Sequence, residues 1–124
     1  MMEIISVAIG GALGAVCRYL LGNFISRASG SALPWGTFAI NIIGCFCMGL
    51  LMTLIVERGM LPAAWRPFLC VGLLGGFTTF SSFGYESLML LTEGNIAAAA
   101  AYSGGSLLLG LLAAGTGVLA GKGV

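Results

Sequence analysis

The chain has 124 residues, 59% of them hydrophobic and only 7% charged, with 21 glycines and a formal net charge of +1. That leaves too little polar surface to coat a soluble globule of this size, and without a basic stripe there is no basis for nucleic-acid binding. With no His and no Asp, no nucleophile, base and orienting group can be assembled, so an enzyme is the weakest reading.

Four apolar stretches, Ile4 to Ile25, Trp35 to Val56, Phe68 to Leu91 and Ile96 to Ala120, each reach the roughly 20 residues that cross a hydrocarbon core as a helix. The expectation is an all-α membrane protein: residues 1–124 as a single four-helix transmembrane domain with short connections. Met1-Met2-Glu3 offers no basic n-region and the first stretch runs on as a full span, so a retained rather than cleaved first helix is expected. Arg58, Arg66 and Lys122 fall on one face of the membrane, against Arg27 and Arg18 towards the other. So even a loading permits insertion both ways, and hence two copies meeting antiparallel.

In the first span Gly10, Gly14, Arg18 and Gly22 recur every four residues and form one ridge suited to close helix contact. Arg18 therefore points into protein or water. An arginine at that depth costs about 2.5 to 3.5 kcal/mol unless compensated. Two readings stand: an arginine snorkelling to the headgroups, or one that attracts or holds an anion.

The second span opens at Pro34-Trp35-Gly36-Thr37, with proline at a helix start and tryptophan at the interface. Its polar residue is Asn41, followed on the same face by Gly44, Cys45 and Met48. The amide either bonds across to a neighbouring helix or donates to an anion.

The third span carries the most informative run, Gly75-Gly76-Phe77-Thr78-Thr79-Phe80-Ser81-Ser82-Phe83. A stretch rich in glycine and hydroxyls survives at bilayer depth only when buried in protein or lining a polar cavity, which predicts a helix broken near its middle. Phe77, Phe80 and Phe83 are three apart and share a face wherever the chain is helical. Their positive ring edges suit an anion neighbour, although a phenylalanine stripe is more often packing. Glu86 follows one turn beyond Ser82 and must be protonated, paired or wetted, with Arg18 a conceivable partner.

In the fourth span Tyr102 and Ser106 are four apart, and the same face continues to Gly110. This stripe edges a polar track or is helix-to-helix glue. Cys17, Cys45, Cys47 and Cys70 all lie within spans without zinc-site spacing and read as small packing residues.

Three segments together resemble the small bacterial fluoride channels of the CrcB or Fluc type. Residues 10–19, GGALGAVCRY, are similar to that family's GGxxGAxxRY opening. Residues 36–44, GTFAINIIG, resemble its GTxxxNxxG segment, and residues 75–83, GGFTTFSSF, its GGxTTFSTF signature, with Ser82 where the family often has threonine.

The resemblance implies a multi-pass protein of the bacterial inner membrane. It also implies a dual-topology antiparallel homodimer in membrane lipid, whose two pores, each lined by both subunits, export cytoplasmic fluoride passively. Carried over, Phe80 and Phe83 are the pore phenylalanines and Asn41 the amide donor beside them. Thr79, Ser81, Ser82, Tyr102 and Ser106 are further pore contacts, with Arg18 near the mouth and Glu86 near the polar track. The family's structural sodium ion (Na+) at the dimer centre would fall to the backbone carbonyls of Gly75 and Thr78.

Two rivals come from other classes. A proton-coupled small transporter wants an ionisable group at mid-membrane, and Glu86 is the one carboxylate there. A structural membrane subunit accounts for the glycine faces but not for the hydroxyl-rich break.

Overall fold

Apolar runs that cannot be solvated by water become helices, because only a helix satisfies every backbone group within its own segment. The computed structural model describes residues 1–124, and four helical stretches in it are long and apolar enough to cross a membrane: Met2–Ser29, Trp35–Glu57, Ala63–Thr92 and Ile96–Gly123. The first is α1 (Met2–Ser29). The second is α2 (Trp35–Met52), which widens into a π-helical turn over Thr53–Glu57. The third opens with a short 3-10 turn, Ala63–Trp65, and a π-helical segment, Pro67–Leu74, then continues as α3 (Gly75–Phe77) and, after a gap, α4 (Phe80–Thr92). The fourth is α5 (Ile96–Gly123).

The first helix extends four residues past its expected end at Ile25. It stops at Gly30, whose φ of 58° is the left-handed conformation that terminates helices at little cost in glycine.

Glycine sets how the helices pack. A methyl group at Gly10 would strike the Phe68 carbonyl, one at Gly14 the Leu73 carbonyl, and one at Gly76 would lie 2.5 Å from the Gly11 carbonyl. Backbone thus lies on backbone where α1 crosses the third span, as the four-residue ridge predicts. On the other side α2 and α5 meet the same way, with Gly49 against the Ala114 carbonyl and Gly117 against the Phe46 carbonyl. The first and third spans form one tight pair, the second and fourth another, and α1 touches α2 where Gly36 meets the Gly22 carbonyl.

At one end of the bundle Arg58 closes the structure by donating to the carbonyls of Lys122 and Val124 at 2.5 and 2.8 Å. Lys122 faces Glu57 at 3.9 Å. Both contacts place the α2 and α5 C-termini together. Many large apolar side chains point outward, among them Leu107, Leu111 and Leu119 on α5 and Phe24 on α1. In water such a surface is a liability; in a bilayer it is the solvated one. All four cysteines are free: Cys70 is buried, Cys45 and Cys47 are half-buried and Cys17 is exposed.

Candidate functional site

The break in the third span lies at Thr78 and Thr79, and its cause is hydroxyl and amide chemistry rather than glycine. Gly75 and Gly76 are helical; Gly76 is small because the Gly11 backbone of α1 lies against it. Helical geometry ends at Phe77. Thr78 turns extended (φ −81°, ψ 159°), as does Thr79 (φ −150°, ψ 118°).

Four of the backbone groups at the break are met by side chains. The Thr79 N–H donates to Asn41 Oδ1 at 2.9 Å, and Asn41 Nδ2 donates to the Thr79 carbonyl at 3.0 Å. Thr79 Oγ1 then caps α4 by accepting from Ser82 N at 3.2 Å, the standard helix-start role of a threonine. Arg18 Nε donates to the Gly76 carbonyl at 3.0 Å. The guanidinium is thereby tethered at the break through this nitrogen. Of the two readings of Asn41, the bond to a neighbouring span is realised. Because an amide NH2 carries two donors, one hydrogen of Asn41 is left over.

Glu86 is not paired with Arg18. Its Oε1 accepts from Thr37 Oγ1 at 2.8 Å and its Oε2 from Tyr102 OH at 2.9 Å, so hydroxyls from α2 and α5 bracket the carboxylate. Ser103 Oγ donates to Ser87 Oγ at 3.0 Å and adds a second polar link between α4 and α5. Thr37 was not singled out by sequence reasoning as a site residue. The signal was present, since it lies one turn before Asn41 on the same helical face.

These residues enclose a polar vestibule of about 440 Å³, lined by Arg18, Asn23, Thr37, Thr79, Ser82 and Glu86, among others. Asn23 and Ser26 of α1 also reach it; Ser26 simply continues the Gly10-Gly14-Arg18-Gly22 ridge by one turn. Asn41 and Tyr102 stand behind the vestibule wall, joined to it through Thr79 and Glu86.

The phenylalanines do not share one face. Phe77 precedes the break and is buried, whereas Phe80 and Phe83 follow it on the first turn of α4. The run is interrupted between them, so the three-residue spacing does not carry across. Phe83 sits 5.9 Å from Phe80 and 5.4 Å from Tyr102, centroid to centroid, while Phe80 is 86% exposed. Ser81 is exposed and lies 3.5 Å from Thr79 Oγ1. On α5, Tyr102 and Gly110 are buried, and the Ser106 hydroxyl between them is buried without a partner. At Gly110 the face packs on α2, where a methyl group would lie 3.4 Å from Cys45 Sγ.

Residues 5–118 match the family described as CrcB-like protein, Camphor Resistance (CrcB). The chain belongs to the CrcB family. Relatives of this CrcB-family chain carry the name fluoride-specific ion channel FluC. One from Chloroflexus aurantiacus is 48% identical over 122 residues, covering 98% of this chain and 97% of its own. One from Magnetococcus marinus is 46% identical over 121 residues, covering 98% of each. One from Thermus thermophilus is 50% identical over 108 residues, covering 87% of this chain and 84% of its own. Family membership and four apolar helices together make this CrcB-family chain a multi-pass membrane protein.

Proposed function

We propose that the chain is a fluoride-selective channel that exports cytoplasmic fluoride passively across the bacterial inner membrane, working as an antiparallel homodimer with two pores. The observation that carries the reading is near-full-length identity, 43% to 50%, to proteins named fluoride-specific ion channels. The donor-rich helix break at bilayer depth supports it on physical grounds.

Fluoride is small and strongly hydrated, so a pore must replace its water with fixed donors without holding the ion too tightly to release it. The chain supplies such donors at the break. They are the remaining Asn41 N–H, the hydroxyls of Thr79, Ser81 and Ser82, and the ring edges of Phe80 and Phe83. Tyr102 and Ser106 extend the hydroxyl row on α5, where the unpartnered Ser106 Oγ is free to donate. Arg18 contributes positive charge at the vestibule rather than beside the rings, which keeps binding weak enough for exit. The 86% exposure of Phe80 and the even distribution of cations between the two faces favour an antiparallel partner that completes the pore wall.

A structural sodium ion fits the donors present. In an unbroken helix the Gly75 carbonyl would accept from Thr79 N and the Thr78 carbonyl from Ser82 N, but those donors go to Asn41 Oδ1 and Thr79 Oγ1. Carbonyls released by a helix break are hard-cation ligands, and Gly75 and Thr78 from two copies would surround one ion. Bound there, sodium would supply fixed positive charge joining the two breaks. Replacing it by a bulky organic cation should lower the melting temperature of the dimer; an unchanged melt counts against the ion.

The deciding experiment uses liposomes loaded with potassium fluoride, or potassium chloride in parallel, and an ion electrode after valinomycin is added. Rapid fluoride release without chloride release is expected. No release from well-folded protein would discard the pore and return attention to proton-coupled transport at Glu86.

A further inference from the structure

We infer that Arg27 sets the sign of the electrostatic field at the vestibule mouth and steers anions into it, a role that rests on the fluoride-channel reading above. A second recess of about 540 Å³, open to the surface and lined by Phe24 and Arg27, shares Tyr19 and Asn23 with the polar vestibule. The two therefore adjoin along α1. Tyr19, Asn23 and Arg27 are four residues apart and make a single ridge on α1. At 1.5 Å per residue, Arg27 lies about 6 Å along the helix beyond Asn23 and about 12 Å beyond Tyr19.

The charge balance gives this position its weight. Arg18 and Glu86 both line the vestibule and offset one another at any distance larger than their separation. Glu93, in the turn after α4, lines neither recess. Arg27 is exposed and makes no ion pair, since the single salt bridge joins Lys122 to Glu57 at the other end of the bundle. It is thus the one unbalanced charge among the residues lining the two recesses. Because it is exposed and bound to nothing, its influence is long-range and screened by salt, unlike that of Arg18, which also holds the Gly76 carbonyl in place.

A unit charge roughly 10 Å from the mouth raises the local anion concentration about 1.5- to 2-fold when the Debye length is about 30 Å, and negligibly when it is a few ångströms. The test records single-channel fluoride current from the purified full-length protein in planar bilayers, at about 0.01 M and about 1 M ionic strength. Arg27→Gln should carry about 1.5- to 2-fold less current than wild type at low ionic strength and the same current at high. Arg27→Glu should lose about 2- to 4-fold at low ionic strength, and Arg27→Lys should match wild type.

Equal currents for all four proteins at low ionic strength would overturn the inference. So would a loss by the same factor at both ionic strengths, which marks a structural role. A wild-type protein that carries no fluoride at all overturns the channel reading and this inference with it, and the wild-type trace alone separates that outcome from the other two.

Discussion

Asn41→Ala removes both bonds that hold the backbone of Thr79 across the break, at 2.9 and 3.0 Å. It leaves one N–H and one C=O without protein partners, each costing about 1 to 3 kcal/mol when buried. Thr79 lines the polar vestibule, so water can relieve part of this, and the expected destabilisation is about 2 to 3 kcal/mol. That is a large fraction of the 5 to 15 kcal/mol that typically separates folded from unfolded chains. Asn41→Asp keeps the acceptor for Thr79 N but loses the donor and sets a carboxylate against the Thr79 carbonyl. Its stability should fall between those of wild type and Asn41→Ala, with fluoride flux at least as low as that of the alanine variant. Thermal unfolding in detergent reads the first quantity and initial efflux from liposomes the second. If Asn41→Ala melts like wild type and conducts at the wild-type rate, the break does not depend on this amide and the reasoning fails.

Phe80→Ile and Phe83→Ile should each slow fluoride efflux by about tenfold or more, since an aliphatic group offers no positive ring edge to the ion, while gel filtration still reports the wild-type assembly. Gly14→Ala drives a methyl group into the Leu73 carbonyl and should cost about 1 to 3 kcal/mol. Gly104→Ala, with nothing within 4 Å, should leave the melt unchanged or raise it by up to about 1 kcal/mol through helix propensity; equal effects at the two glycines would refute the close-packing account. Glu86→Gln keeps a polar group between Thr37 and Tyr102 but abolishes the charge, and fluoride-selective flux in this variant should persist. Flux that instead becomes dependent on a proton gradient in wild type and vanishes in Glu86→Gln would favour the transporter.

The four spans were legible because length and apolarity decide membrane crossing almost alone. The glycine ridge of α1 was legible because a four-residue period is a property of the helix itself. The break was legible in place but not in cause. The glycine- and hydroxyl-rich run as a whole marked the interruption, yet Gly75 and Gly76 within it are helical, and the small size of Gly76 serves the α1 contact. The true cause is Asn41 reaching Thr79, 38 residues away in sequence, a pairing that no local pattern encodes. Glu86 was similarly opaque. Its need for a partner followed from depth, but the partners are Thr37 and Tyr102, brought in by two other helices, whereas Arg18 is occupied by the Gly76 carbonyl. The apparent phenylalanine face failed for a simple reason: helical spacing holds only within one helix, and Phe77 is on the far side of the gap.

The order in which the chain leaves the ribosome gives the position of Tyr102 a further meaning. The first three spans carry everything needed to form the break, including Arg18, Asn41, Thr79 and the Thr37 contact with Glu86. Tyr102 and Ser106 come last, on α5, and only then does Arg58 find the terminal carbonyls of Lys122 and Val124. A partly made chain therefore holds an incomplete vestibule with one side of Glu86 uncovered. α5, made after the other three spans, seats the second hydroxyl on that carboxylate and, at its own far end, receives the arginine that latches it. One helix thus both completes the hydroxyl bracket around Glu86 and closes the bundle at its other end.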